Sequence, residues 1–90
     1  MSDQRWQVLI HRRAEKVLKR LNGQTLERIR EAVRNLAGDP FSEGVKKLAG
    51  HENLYRVRVG DWRIIYAVEK NHLVILVLEI SPRSGAYKGY

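Results

Sequence analysis

The chain has 90 residues, 17 Lys plus Arg against 10 Asp plus Glu, no cysteine and a formal net charge of +7. That length sets a single domain, residues 1–90, with a small core, and the lack of cysteine excludes a disulfide scaffold, a Cys-based zinc site and a thiol nucleophile. The basic excess is spread over both halves, nine Lys/Arg against five Asp/Glu in residues 1–40 and eight against five in 41–90, so it marks a folded basic surface facing a polyanion rather than a charged tail.

Trp6 to Ile10 reads as a first strand. Ala14, Val17, Leu18 and Leu21 then follow at i, i+3, i+4, i+7, one face of a helix whose other faces carry Arg12, Arg13, Lys16, Lys19 and Arg20. Asn22-Gly23 breaks it. Leu26, Ile29, Val33 and Leu36 continue at helical spacing, so a second helix is expected over 24–37, ended by Gly38 as a left-handed cap and by Pro40. So short a break predicts an antiparallel helical hairpin.

The period then changes. Residues 41–53 read as a loop with one apolar anchor, Leu48, and with Lys46 and Lys47 solvated. From Leu54 to Val59 the chain alternates: Tyr55, Val57 and Val59 on one face, Arg56 and Arg58 on the other. Gly60-Asp61 is a two-residue hairpin turn and Trp62 to Val68 the returning strand. Leu73 to Leu78 is apolar throughout, which predicts a central strand buried on both faces. The fold class is therefore α+β, ordered β-α-α-β-β-β, with an N-terminal helical hairpin packed on one face of a mostly antiparallel sheet and the other face open to solvent.

A two-residue turn fixes the register: Val59 opposes Trp62, Arg58 opposes Arg63, Val57 opposes Ile64 and Arg56 opposes Ile65. Arg56, Arg58 and Arg63 then share the open face. Like charges directly opposite in a sheet are destabilising. Either the long side chains splay into water or pair with Glu79, or three guanidinium groups converge on an anion, for which the planar, always-charged fork of Arg is suited. Arg83 and Tyr87 follow the last strand and extend the same patch.

The run Leu48-x-Gly50, the string Tyr55-Arg56-Val57-Arg58-Val59-Gly60-Asp61-Trp62-Arg63-Ile64-Ile65-Tyr66, and the ending Arg83…Tyr87 resemble the RelE/ParE toxin superfamily of toxin–antitoxin modules, over nearly the whole chain. The resemblance implies a microbial-ribonuclease-like fold, inhibition of translation and a cognate antitoxin, acidic and largely helical, that wraps the toxin. RelE-like members cleave mRNA in the ribosomal A site by attack of the 2′-hydroxyl on the adjacent phosphate, which needs a base, charge stabilisation of the phosphorane and an acid for the leaving oxygen. By position, the resemblance makes Arg56, Arg58, Arg63, Arg83 and Tyr87 the catalytic set. Arg58 and Arg63 bind phosphate and transition state, Arg83 is acid or stabiliser, and Tyr87 stacks on a base or orients the ribose. Some relatives have Lys at the position of Arg56, and an Arg is a poor base. The proton then goes to Tyr87, to a ribosomal group or to Glu79, whose other reading is a structural partner for a nearby Arg. Lys46, Lys47, Arg12 and Arg13 are expected to meet RNA and the ribosome.

His11, His51 and His72 fall in separate boundary or loop segments, without metal-ligand spacing, and no phosphate loop or dinucleotide fingerprint is present. No cofactor and no metal are expected. No apolar run approaches 18 residues and the N-terminus is polar, which predicts a cytoplasmic protein without a membrane partner. The expected partners are an antitoxin, the ribosome, its RNA and mRNA. A ParE-like gyrase inhibitor and a non-catalytic RNA-binding module are the alternatives on the same fold.

Overall fold

A computed structural model describes residues 6–82. The first strand, β1 (Gln7–Ile10), leads into helix α1 (Arg12–Arg20) and helix α2 (Gly23–Gly38). Strands β2 (Val45–Lys47), β3 (Leu54–Val59), β4 (Trp62–Glu69) and β5 (Val74–Pro82) follow. They form one sheet in the order β1-β5-β4-β3-β2. Three pairings are antiparallel, and β1 runs parallel to β5.

Local chemistry sets the boundaries. His11 caps α1: its Nδ1 accepts the N–H of Arg13 at 3.1 Å, satisfying one of the orphan donors of the first turn. Only Leu21 and Asn22 separate the helices, and Gly23 takes the left-handed φ (+61°) that the sharp joint requires. Gly38, expected as the left-handed cap of α2, does not have a positive φ. The helix instead ends on an extended Asp39, whose Oδ1 accepts the N–H of Phe41 at 3.0 Å. This short turn redirects the chain without glycine.

The core lies between the helices and one sheet face. It comprises Ala14 of α1, Ile29 and Leu36 of α2, and Ile64, Tyr66, Val68, Ile75, Val77 and Ile80 of the sheet, all buried. α1 lies on β5, while α2 contacts β1 and β3. The Tyr66 hydroxyl, fully buried, donates to the Pro40 carbonyl at 2.7 Å and so fastens the end of α2 to the middle strand. Burial pushes its ionisation well above that of an ordinary tyrosine, with Tyr55 and Asp39 adding to the effect. Tyr66 stacks on Tyr55, and Phe41 packs edge-on between Tyr55 and Trp6.

Two expectations are corrected. Residues 41–53 are not all loop, because Val45 to Lys47 pairs with Val57 to Tyr55 as β2. β5 is an interior strand, flanked by β1 and β4 as expected, but it is not buried on both faces: Ile75, Val77 and Ile80 are buried, Leu76 and Leu78 half-buried, and Leu73 lies exposed in the preceding turn. Its φ of +54° is rare for a residue with a β-carbon.

Candidate nucleic-acid interface

The β3–β4 register is the one the turn predicts: Arg56 opposes Ile65, Arg58 opposes Arg63, and Val59 opposes Trp62. Gly60 supplies the positive φ (+62°) that opens this two-residue turn. Directly opposed residues share a face. The face away from the helices therefore carries two polar rows that cross the strands. One runs Lys46, Arg56, Ile65, Glu79; the other Arg58, Arg63, Ser81.

Lys46 enters this face because it is a strand residue paired with Arg56, not a loop residue. Lys47 pairs with Tyr55 and points to the opposite side, so the two neighbouring lysines part company. A strand of three residues is too short to show an alternation, and for that reason the sequence does not reveal it.

The second half of β5 owes its orientation to a bulge. Ile65 pairs with Glu79 but Tyr66 pairs with Val77, leaving Leu78 as an extra residue on β5. Ile75 and Val77 face the core two apart, and the next core residue, Ile80, comes three later. That change of spacing is the signal in the sequence. Its effect is to aim Glu79 and Ser81 at the arginine face.

This face is not uniformly open, as it was expected to be. Arg58 is exposed, Arg56, Arg63 and Glu79 are half-buried, and Ile65 has no exposed surface. The Ser81 hydroxyl donates to Glu79 Oε2 at 3.0 Å. β1 ends at Ile10, opposite Val77, so the last part of β5 has no strand on that side and the start of α1 comes near instead. Arg13 Nη1 lies 4.0 Å from Glu79 Oε1, with 16% of the Glu79 side chain exposed. Arg13 thus stands at the rim of the arginine face, and Arg12 is exposed beside it. Arg83 and Tyr87 lie outside the described residues.

Beyond the charged rows the same face turns apolar. Leu54, Ala67, Leu76 and Leu9 oppose one another in turn across β3, β4, β5 and β1. Leu9 is 46% exposed. Trp62, by contrast, is half-buried and packs against the core with Trp6. Among the described residues no helix is long and apolar enough to cross a membrane.

With this geometry in place, the comparisons with known proteins are decisive. Residues 8–87 match the family model described as the ParE toxin of the type II toxin–antitoxin system, parDE. The chain belongs to the RelE/ParE toxin superfamily. It is 36% identical over 87 residues to the protein RelE1 of Methanocaldococcus jannaschii, covering 93% of this chain and 97% of that one. Its fold is similar to the archaeal RelE–RelB complex from Pyrococcus horikoshii, with a TM-score of 0.78 at 35% identity over 90% of this chain and 98% of the other. The isolated RelE toxin of E. coli superposes with a TM-score of 0.78 at 19% identity, covering 91% and 88% of the two chains. RelE-like toxins therefore share both the architecture and, at the archaeal end, recognisable sequence with this RelE/ParE chain.

Proposed function

We propose that this protein is the toxin of a type II toxin–antitoxin module and acts as a ribosome-dependent endoribonuclease. It cleaves mRNA in the A site through attack of a 2′-hydroxyl on the adjacent phosphate. The observation that carries this reading is the convergence of Lys46, Arg56, Arg58 and Arg63 on one sheet face, fixed by register on three adjacent strands. Opposing Arg58 and Arg63 across a hairpin costs stability in the free protein. A phosphodiester between them reverses the sign of that interaction, because each guanidinium then faces an anion.

Two terms of the reaction map onto this face. Arg58 and Arg63 hold the scissile phosphate and stabilise the additional negative charge of the phosphorane as it develops. Arg56 and Lys46 continue the positive row outward, where they meet neighbouring phosphates. Arg83 and Tyr87 complete the set, Arg83 as stabiliser of the charge that develops on the leaving 5′ oxygen and Tyr87 as stacking partner for a base. The wider positive field, with Arg12, Arg13 and Lys47, steers the toxin to ribosomal RNA.

The partner that silences it is an antitoxin, as in the RelE–RelB complexes whose toxin fold it shares. An acidic, amphipathic helical segment fits the face described: carboxylates over the basic rows, and apolar side chains over Leu54, Ala67, Leu76 and Leu9. Primer extension on mRNA in a reconstituted translation system tests the activity. The expected result is A-site cuts with the wild-type protein and their loss in Arg63→Ala. The family model that matches is described by its ParE member, so a supercoiling assay with purified gyrase is the companion measurement. Inhibition of gyrase without mRNA cleavage overturns the nuclease reading.

A further inference from the structure

RNA cleavage by a 2′-hydroxyl needs a group that takes the hydroxyl proton. On the described part of the basic face, Arg56, Arg58 and Arg63 are guanidiniums and Lys46 is an ammonium, all donors without an acceptor. The carboxylate within these two rows is Glu79; Glu69, on the same sheet face, lies beyond the apolar row of Leu54, Ala67, Leu76 and Leu9. We propose that Glu79 is the general base of the cleavage reaction, an assignment that rests on the nuclease reading above.

Three features support it. First, the bulge at Leu78 re-phases β5. Under strict alternation from Val77, Glu79 falls on the core side; the extra residue turns it to the arginine face instead. Bulges recur beside active sites, where they re-aim a side chain. Second, Glu79 is held. Its Oε2 accepts from the Ser81 hydroxyl at 3.0 Å, and its Oε1 lies 4.0 Å from Arg13 Nη1 at the start of α1. A base must be positioned before its basicity matters. Third, it is next to the phosphate site. Glu79 opposes Ile65 and is diagonal to Arg63, whose other cross-strand neighbour is Arg58. Diagonal positions on one sheet face are about 7–8 Å apart, within reach of long side chains and of one ribose between them.

In the step itself, Glu79 takes the proton of the 2′-hydroxyl while O2′ forms its bond to phosphorus. The P–O5′ bond breaks, its electron pair goes to O5′, and O5′ takes a proton from solvent water. The products are a 2′,3′-cyclic phosphate and a 5′-hydroxyl, and Glu79 returns its proton to water. No further reactant is consumed. Among the described residues, the charged and polar groups around Glu79 include Arg63 of β4, Arg56 and Arg58 of β3, Ser81 of its own strand and Arg13 of α1.

The test is single-turnover cleavage of mRNA on programmed ribosomes as a function of pH, with Glu79→Gln and Glu79→Asp beside wild type. The amide preserves shape and removes basicity. The expected result is a fall of about 100-fold or more for Glu79→Gln, partial rescue by Glu79→Asp, and unchanged co-sedimentation with ribosomes. Wild type shows a rate that climbs with pH on the acid side and levels off, and Glu79→Gln lacks that limb. A Glu79→Gln variant that cleaves within threefold of wild type overturns the proposal, and so does a slowed variant whose pH profile keeps its shape. If Glu79→Gln fails to fold, a wild-type profile without an acid limb overturns it equally. A wild-type protein that makes no cut at all overturns the nuclease reading together with this one, whereas cuts that survive Glu79→Gln overturn this one alone.

Discussion

The two faces of the β3–β4 hairpin are built from alternate residues of the same twelve-residue stretch, and they obey opposite rules. Toward the helices stand Tyr55, Val57, Ile64 and Tyr66, packed in or against the core, with the hydroxyl of Tyr66 satisfied by Pro40. Toward the other side stand Arg56, Arg58 and Arg63, with like charges in register. The first arrangement is what a sheet needs to be stable. The second is unfavourable in isolation and makes sense against a polyanion. On the proposed function, stability and binding are thus separated by the period of a strand, so substitutions on the two faces should separate as well.

The largest effect expected on the inner face is from Ile64→Ala. Ile64 is fully buried, and truncating such a side chain costs about 2–5 kcal/mol through lost burial and the cavity left behind. Chemical denaturation should show that loss, while the cleavage rate per folded molecule stays that of wild type. Next comes the outer face. Arg63→Ala should lower single-turnover cleavage by about 100-fold or more, the scale of removing one preorganised donor to a developing charge, with a smaller change in unfolding free energy than Ile64→Ala. Equal losses of stability from the two variants would erase the distinction between the faces.

Tyr66→Phe sharpens the inner half. It leaves the buried Pro40 carbonyl without its donor, at a cost of about 1–3 kcal/mol. The variant also carries a pH signature. Burial raises the folded-state pKa of Tyr66 above its ordinary value of 10.0, so the folded protein retains a proton that the unfolded chain releases. The resulting stability is fully present below pH 10 and is lost as pH rises beyond it. The difference in unfolding free energy between wild type and Tyr66→Phe should therefore shrink above that pH, and a constant difference would mean that Tyr66 ionises normally.

The same contrast explains which parts of the molecule the sequence discloses. The Arg58–Arg63 opposition is legible because a two-residue turn headed by Gly60 leaves one register open and because the alternation from Tyr55 to Val59 assigns the faces. The helices are legible from their apolar stripes. The place of Lys46 on the arginine face escapes notice because β2 has three residues and takes its conformation from pairing with β3 rather than from its own pattern. Gly38 misleads because a glycine before Asp-Pro resembles a left-handed cap, whereas the side chain of Asp39 makes the turn. Ile65 misleads for another reason: an isoleucine on the arginine face is expected to be exposed, yet it is fully buried. Strand alternation assigns a side, not a degree of exposure. The family resemblance rests on the legible parts, and so it joins Arg56, Arg58 and Arg63 in one set and leaves Lys46 among the general RNA contacts.

The smallest effect bears most directly on why the outer face is built as it is. Arg58 is exposed and faces Arg63. Arg58→Gln removes one of two like charges while keeping most of the aliphatic stem. If the arginines face each other for the sake of a phosphate and not of the fold, the variant should be more stable than wild type by about 0.2–1 kcal/mol at low salt. That gain should fade as salt screens the pair, while the mRNA cleavage rate falls. A gain in stability coupled to a loss of activity at one exposed residue marks a repulsion kept for binding. A loss of both would instead make Arg58 part of what holds the sheet together, and the two faces would no longer differ in kind.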